Sequence, residues 1–271
     1  MLRPYKESRA VVKRCLIVDL GLVGYADAYA LQKRVVAARK AEAIGDVLLL
    51  CEHLPVITQG RNGKREHLLV SENLLRQRGV EFYETSRGGD VTYHGPGQVV
   101  GYPILQLGEI RKDVVCYVRS LEEVMIRVTA EFGIAASREA GKTGIWVTES
   151  EKTFTQSPQR TQSSQREEKA PEKLGAIGVH ISRWVTSHGF AYNVATDLRN
   201  FDLIVPCGIA GRKATSLEKL LGRAVDLAEV KPGIAEHFAD VFGFEMQEAS
   251  RGELLEKLEI TEQQIAVPAS A

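Results

Sequence analysis

Hydrophobic positions along the chain fall into short strand-like runs and a few helical stripes. The strand-like runs occupy residues 11–20, 47–51, 80–85, the stretch after Gln98, 144–149, 174–181 and 189–195. Apolar residues recur every three or four positions over about 113–132, and similar patterns cover 25–43 and 226–242, which predicts three amphipathic helices. Strands and helices mix without regular β-α alternation, so the pattern predicts an α+β fold rather than a doubly wound sheet.

Capping residues mark several helix ends. Ser71 precedes an apolar pair, Leu74 and Leu75, and is a favourable helix N-cap. Gly79 and Gly133 follow helical stretches, and glycine commonly ends a helix because it adopts a left-handed backbone without strain.

Two segments lack a hydrophobic pattern. Residues 151–172 are rich in glutamine, serine, threonine and charge, and Phe154 is their only large apolar side chain. We expect a flexible insertion between two strands, because such a segment cannot bury enough apolar surface to offset the entropy of ordering. The expected organisation is one catalytic domain over 1–249 and a polar C-terminal tail over 250–271, with a short helix at ELLEKL.

Composition and charge exclude several classes of protein. The 271 residues are 44% hydrophobic and 26% charged, with 35 basic and 35 acidic side chains, and the balance argues against a general nucleic-acid binder. No stretch of about 18 uncharged apolar residues occurs, so no membrane span is expected. The N-terminal sequence MLRPYKESRAVVKR lacks the apolar centre of a signal peptide.

The four cysteines are Cys15, Cys51, Cys116 and Cys207, and no two form a C-x-x-C pair. This spacing fits neither a zinc site nor a disulfide framework, so we expect no metal. The first three are expected to be buried thiols in a reducing cytoplasm.

The segment RGGDVTYHGPGQVVGYP, from Arg87 to Pro103, contains five glycines and two prolines. Gly88 and Gly89 allow a ligand to approach the main chain closely, and Gly95-Pro96-Gly97 predicts a turn. The cluster is equally typical of an ordinary tight turn. It lacks the G-x-x-x-x-G-K-[ST] spacing of a phosphate-binding loop.

A second candidate site is VPCGIAGRKATSL, where Cys207 lies in a stretch with neither strand nor helix periodicity. A thiol needs a base or a cation nearby to become a nucleophilic thiolate at neutral pH, and Lys173, His94 and Arg212 are among the groups that the sequence offers. Lys173 begins the strand-like run EKLGAIGVHI, where a lysine is also common as a solvated edge residue.

Four motifs in this order, RGGDVTYHGPGQVVGYP, K-LGAIG, SHGFAYNV and PCGIAG, resemble those of the lipoyl(octanoyl) transferases of protein lipoylation. The resemblance covers about residues 12–245 and implies the fold shared by biotin and lipoate protein ligases, a mixed sheet with flanking helices. It implies octanoyl transfer from octanoyl-acyl carrier protein to a lysine, without a cofactor. The implied acceptors are lipoyl domains of 2-oxoacid dehydrogenase complexes and the glycine cleavage H protein.

The resemblance also implies roles for individual residues. The family's acyl-thioester cysteine corresponds to Cys207. Its lysine that lowers the thiol pKa corresponds to Lys173, directly before LGAIG, and not to Lys142 before TGIWV. The implied acyl-binding residues are Arg87, Gly88, Gly89, Asp90, Val91, Thr92, Tyr93, His94, Ala176, Ile177, Gly178, Gly189, Phe190 and Ala191. Among these, Tyr93, Ile177 and Phe190 are candidates to line an apolar slot for the eight-carbon chain.

Three other functions remain open from the residues alone. An ATP-dependent lipoate or biotin ligase would share the fold, but it would need no cysteine. A papain-like hydrolase would place its histidine base well downstream of the nucleophile, and only His237 follows Cys207. A non-catalytic module that binds acyl carrier proteins would need neither the nucleophile nor the lysine.

Overall fold

A computed structural model describes residues 13–148, 170–205 and 213–266, and these residues form ten strands and seven α-helices. The strands are β1 (Lys13–Val23), β2 (Asp46–His53), β3 (Val56–Gln59), β4 (Glu81–Glu84), β5 (Val91–His94), β6 (Gln98–Ile104), β7 (Ile145–Val147), β8 (Glu172–Ser182), β9 (Val185–Asn193) and β10 (Phe244–Glu248). The helices are α1 (Tyr25–Lys40), α2 (Glu72–Gln77), α3 (Leu107–Ile110), α4 (Val114–Glu131), α5 (Leu217–Leu221), α6 (Leu227–Phe242) and α7 (Arg251–Ala266).

Helix α2 has its predicted N-cap, and α4 has an N-cap that the sequence analysis did not mark. The Ser71 hydroxyl accepts a hydrogen bond from the Leu74 N–H at 3.3 Å, at the start of α2. The Asp113 carboxylate accepts one from the Cys116 N–H at 2.9 Å, at the start of α4. Beyond α4, Gly133 has a φ of +71°, the left-handed conformation that ends the helix.

Two sheets organise the described residues. The larger has the strand order β10-β1-β2-β6-β9-β8-β7, with parallel pairing from β10 to β2 and antiparallel pairing from β2 to β7. The smaller has the order β4-β3-β5. Helices α4 and α6 pack against one face of the large sheet, and α1 and α7 pack against the other. This is the predicted α+β arrangement of a mixed sheet with flanking helices.

The structure differs from the sequence-based expectations in a few places. Strands β3 and β5 have only four residues each, too few for a clear periodicity, and β5 lies inside the glycine-rich segment expected to be a turn. The C-terminal helix extends over Arg251–Ala266 and buries Leu254 and Leu258 in the core beside α1. Cys15 and Cys51 are buried thiols as expected, whereas Cys116 is half-buried. The segment 151–169, expected to be flexible, lies outside the described residues.

Candidate active site

A cavity of about 630 Å³ lies where strands β6, β9 and β8 of the large sheet meet the small sheet. This volume is within the range of about 300–1,000 Å³ that small-molecule sites usually have. It brings together most residues of the predicted site: Arg87, Gly88, Gly89, Asp90, Val91, Thr92, His94, Lys173, Ala176, Ile177, Gly178, Gly189, Phe190 and Ala191 all line it.

Tyr93 does not line the cavity, although it was a candidate for the acyl slot. Its side chain points to the opposite side of β5, where it joins a separate small core and packs edge-on against Phe201 with ring centroids 5.6 Å apart. The Asn200 side-chain amide donates a hydrogen bond to its hydroxyl at 3.0 Å. The alternation of side chains along a strand explains the difference, since Thr92 and His94 face one way and Tyr93 the other.

The glycine-rich loop approaches strand β8 closely, whereas the sequence predicted only that Gly88 and Gly89 would let a ligand approach the main chain. The Gly88 N–H donates to the Val179 carbonyl at 2.9 Å. A Cβ at Gly178 would lie 3.0 Å from the Gly88 oxygen and 3.1 Å from Cδ of Arg87, so there is no room for a larger residue without movement. Gly89 has a φ of +84°, which favours glycine.

Arg87 is buried and holds this loop on β3. Its guanidinium donates to the Thr58 hydroxyl at 3.0 and 3.2 Å, to the Thr58 carbonyl at 2.6 Å and to the Gly88 carbonyl at 3.0 Å. These bonds to neutral acceptors fix the backbone of the loop beside the cavity. Sequence reasoning placed Arg87 among the acyl-binding residues but did not show that its guanidinium is bound to protein acceptors.

Lys173 lies at the start of β8, held on both sides by backbone pairing. Its N–H donates to the Lys213 carbonyl at 2.9 Å, and its carbonyl accepts from the Thr215 N–H at 2.9 Å. The Lys173 ammonium lies 4.6 Å from the ring centroid of Trp146, a cation–π contact that limits where the side chain can point.

Lys142 also lines the cavity. Its ammonium lies 5.4 Å from the same Trp146 ring and 2.5 Å from a carboxylate oxygen of Glu139. The structure therefore brings both lysines to one indole ring, whereas the sequence motif singled out Lys173. The carboxylate partner of Lys142 comes from its own turn.

Cys207 lies in 206–212, outside the described residues, but the two ends of this segment are described. The Val205 N–H donates to the His67 carbonyl at 2.8 Å, and Lys213 pairs with Lys173. His67 and Lys173 both line the cavity. The residues on either side of 206–212 are therefore hydrogen-bonded to residues that line the cavity.

Three histidines around the cavity are neutral. Burial lowers the pKa of His53 to about 4, and burial lowers the pKa of His94 and of His188 to about 3, with the cationic Arg87 acting in the same direction on the latter two. His94 and His188 line the cavity, and His53 lies behind it with its Nε2 atom 2.6 Å from the Tyr102 hydroxyl.

Sequence reasoning missed one ionisable pair in the cavity wall. Nδ1 of His67 lies 2.5 Å from a carboxylate oxygen of Asp90, and both side chains are largely buried. His67 belongs to GKREHLL, a segment without a glycine cluster or clear periodicity, so nothing in its local sequence marked it.

Known proteins resemble this chain in sequence and in fold. Residues 24–239 match the family model for the lipoyl protein ligase A/B catalytic domain. An octanoyltransferase of Acidobacterium capsulatum is 48% identical over 89% of this chain and 96% of its own length, and one of Solibacter usitatus is 46% identical over 87% of this chain and 96% of its own. The chain belongs to this family. Relatives at this level of identity place it among the octanoyltransferases, and the expectation of an acyltransferase enzyme is confirmed.

Solved structures show the same fold. A bi-partite lipoate protein ligase from Thermoplasma acidophilum, studied with its E2 lipoyl domain, superposes with a TM-score of 0.65 at 13% identity, covering 96% of this chain and 95% of that one. A lipoate-protein ligase A bound with ATP gives 0.62 at 13% identity, covering 93% and 95%. The predicted lipoate-ligase-like fold is thereby confirmed.

The described residues, 13–148, 170–205 and 213–266, contain no cluster of three His, Cys, Asp or Glu side chains placed to hold a metal ion. Within the same ranges no helix is both long and apolar enough to cross a membrane.

Proposed function

We propose that this acyltransferase moves an octanoyl group from octanoyl-acyl carrier protein to a lysine of a lipoyl domain, through a thioester on Cys207. The observation that carries the proposal is the cavity itself, because one wall holds Lys173 and the adjoining wall offers apolar side chains to an acyl chain. Relatives named octanoyltransferase, 38–48% identical over most of the chain, support the octanoyl group as the substrate.

The apolar wall suits an eight-carbon chain. Ile177 and Phe190 face one another across the pairing of β8 with β9, and Val100 and Val118 extend the lining. Burial of a chain in such a slot contributes about 0.8 kcal/mol for each methylene removed from water. Because each buried methylene adds to the binding free energy, the length of the slot determines which acyl-chain length binds best.

In the first step the Cys207 thiol gives its proton to Lys173, and the thiolate attacks the carbonyl carbon of the donor thioester. The carrier's sulfur leaves as a thiolate and takes the proton that Lys173 received, so one thioester replaces another at nearly equal energy. A cation within about 4–6 Å of a thiol lowers its pKa, which is the role proposed for Lys173.

In the second step the ε-amine of the acceptor lysine, after losing a proton, attacks the Cys207 thioester. The carbon–sulfur bond breaks, the cysteine sulfur regains a proton, and the amide product is more stable than the thioester. Lys173 is the proposed proton relay for the amine. Backbone N–H groups of the glycine-rich loop at Gly88 and Gly89 are candidates to stabilise the oxyanion.

Lipoyl domains are the proposed acceptors, namely those of 2-oxoacid dehydrogenase complexes and the glycine cleavage H protein. The structural neighbour from Thermoplasma acidophilum, studied with its E2 lipoyl domain, supports this choice. The three unpaired thiols at Cys15, Cys51 and Cys116 are consistent with work in the reducing cytoplasm.

The decisive experiment incubates the protein with octanoyl-acyl carrier protein and an apo lipoyl domain, without ATP. Intact-mass spectrometry should show an octanoyl adduct on the enzyme first and on the lipoyl domain afterwards. Transfer that requires free octanoate and ATP would instead identify a ligase, and an adduct that never leaves the enzyme in the presence of the acceptor would contradict the second step.

A further inference from the structure

A chain of buried polar side chains links the cavity wall to the strand that carries Lys173. Nδ1 of His94 lies 2.7 Å from Oε1 of Gln98, Nε2 of Gln98 lies 2.8 Å from Oδ1 of Asn193, and Nδ2 of Asn193 lies 3.0 Å from the Thr215 carbonyl oxygen. The Thr215 N–H in turn donates to the Lys173 carbonyl at 2.9 Å. His94, Gln98, Asn193 and Thr215 are all less than a tenth exposed.

The donor and the acceptor of each hydrogen bond between these side chains can be assigned by starting from Thr215. The Thr215 carbonyl can only accept, so the Asn193 amide nitrogen must face it and the Asn193 oxygen must face Gln98. That oxygen also only accepts, so Gln98 turns its nitrogen to Asn193. The Tyr93 carbonyl, 3.4 Å from the same Gln98 nitrogen, requires the same orientation. Oε1 of Gln98 therefore faces His94.

This orientation sets the tautomer of the imidazole. Because Oε1 of Gln98 has no hydrogen to give, Nδ1 of His94 must carry one, and in the neutral ring Nε2 keeps a lone pair. His94 lines the cavity, and its Nε2 atom has no hydrogen-bond partner among the side chains and backbone that the structure describes. The ring thus presents an acceptor, not a donor or a cation, to whatever enters the cavity.

We propose that Gln98 and Asn193 are positioning residues that hold His94 as the Nδ1–H tautomer, so that its Nε2 lone pair accepts an N–H of the attacking lysine amine. The part of this proposal that concerns the attacking amine rests on the proposed function. After the amine gives one proton to Lys173, a hydrogen bond from one remaining N–H to His94 directs the nitrogen lone pair away from the imidazole and toward the acyl carbonyl. Both hydrogens of the amine stay on nitrogen until attack, and one then leaves for the cysteine sulfur.

Burial and the neighbouring cation explain why His94 orients the amine without taking its proton. With a pKa of about 3, the ring stays neutral throughout the range in which a lysine amine can be deprotonated by another group. Proton removal therefore remains with lysine, and His94 supplies only direction.

The test replaces Gln98 with leucine, which removes the acceptor for Nδ1. In histidine labelled with ¹⁵N, the His94 resonances of the unmodified protein should show the Nδ1–H tautomer, and Gln98→Leu should lose that signature. Octanoyl transfer from the preformed acyl-enzyme to the lipoyl domain should fall about tenfold, while acyl-enzyme formation changes less than twofold. Gln98→Glu keeps an acceptor for Nδ1 but loses the donor to Asn193, so it should recover the Nδ1–H signature and only part of the transfer rate.

Thr129→Val is the matched control. It removes the buried 2.8 Å hydrogen bond between the hydroxyls of Thr129 and Tyr192, and Tyr192 is the residue next to Asn193 on β9. It should leave both readouts unchanged. An unaltered His94 tautomer in Gln98→Leu overturns the positioning role. A changed tautomer with unaltered amine transfer overturns the role of Nε2. Absence of any acyl-enzyme in the unmodified protein would refute the proposed function and the amine role, whereas the NMR measurement would still decide the positioning role.

Discussion

We predict that a single methyl group at Gly101 shortens the proposed acyl slot. Gly101, Phe190 and Ile177 are directly opposite one another on neighbouring strands β6, β9 and β8, so their side chains share one face of the sheet. The Phe190 ring lies over Gly101, and a Cβ at that glycine would be 2.3, 2.4 and 3.0 Å from three ring carbons. Gly101→Ala therefore excludes the ring from its present position.

The size of the effect follows from these contacts. Carbon atoms pack best at about 3.5–4.0 Å, so the nearest ring atom must retreat by roughly 1.2–1.7 Å. Phe190 and Ile177 both line the cavity, so displacement of the ring changes the cavity lining at this row. If the displaced ring excludes one or two methylenes, at about 0.8 kcal/mol each, kcat/KM for octanoyl relative to hexanoyl should fall about 4- to 15-fold. Overpacking should also lower the free energy of unfolding by about 1–3 kcal/mol.

The assay measures kcat/KM with octanoyl- and hexanoyl-acyl carrier protein, together with a urea unfolding curve. Gly45→Ala is the matched control, because a Cβ at Gly45 meets no atom within 4 Å. The double substitution Gly101→Ala/Phe190→Leu removes the ring that clashes and should recover octanoyl transfer. An unchanged ratio of octanoyl to hexanoyl in a folded Gly101→Ala protein would refute the assignment of this face to the acyl chain.

Three further predictions concern Cys207, Lys173 and the three buried histidines. Cys207→Ser should abolish transfer while Cys116→Ser retains it; octanoyl transfer by Cys207→Ser at a near-normal rate would exclude Cys207 as the nucleophile. Lys173→Ala should raise the pKa of the Cys207 thiol and nearly eliminate transfer, and Lys142→Ala, on the same indole ring, should do much less; alkylation by iodoacetamide as a function of pH distinguishes them, and equal profiles for Lys173→Ala and the unmodified protein would break the pairing. The free energy of unfolding should fall as the pH drops from about 6.5 toward 4, because His53, His94 and His188, with pKa values lowered to about 4, 3 and 3, bind protons mainly in the unfolded chain. Each contributes up to about 1.4 kcal/mol per pH unit, and His53→Gln should reduce the slope measured by urea titration.

Elements with strong local signals were predictable from the sequence. Helix α4 was expected over about 113–132 and is observed over Val114–Glu131, with its N-cap Asp113 in place. Strand β5 gave no such signal, because its four residues are held by pairing with β3, which lies more than 30 residues away in the chain. A short strand of this kind is specified by its partner rather than by its own periodicity.

The candidate site also contains residues that the sequence marked and contacts that it did not mark. Glycines that allow close approach, such as Gly88 and Gly178, were marked by the motifs that contain them. The His67–Asp90 pair and the hydrogen bonds of Gln98 and Asn193 were not, because each joins residues distant in sequence through side-chain contacts that only the fold creates. Lys142 illustrates the same limit, since its approach to Trp146 beside Lys173 depends on how β7 pairs with β8.

The electrostatics of the cavity explain why a lysine, rather than a histidine, is the proposed proton carrier. Arg87 remains charged at any working pH, and its buried guanidinium donates hydrogen bonds to Thr58 and Gly88 beside the cavity. That charge disfavours protonation of His94 and His188, whose pKa values burial has already lowered. A neutral ring with a pKa near 3 is a weak base toward an ammonium, because the proton would move strongly uphill. A lysine is the better proposed carrier, since an aliphatic amine is in general a much stronger base than such a ring. The same glycine-rich loop that shapes the cavity therefore also favours the proposed transfer of the proton to Lys173.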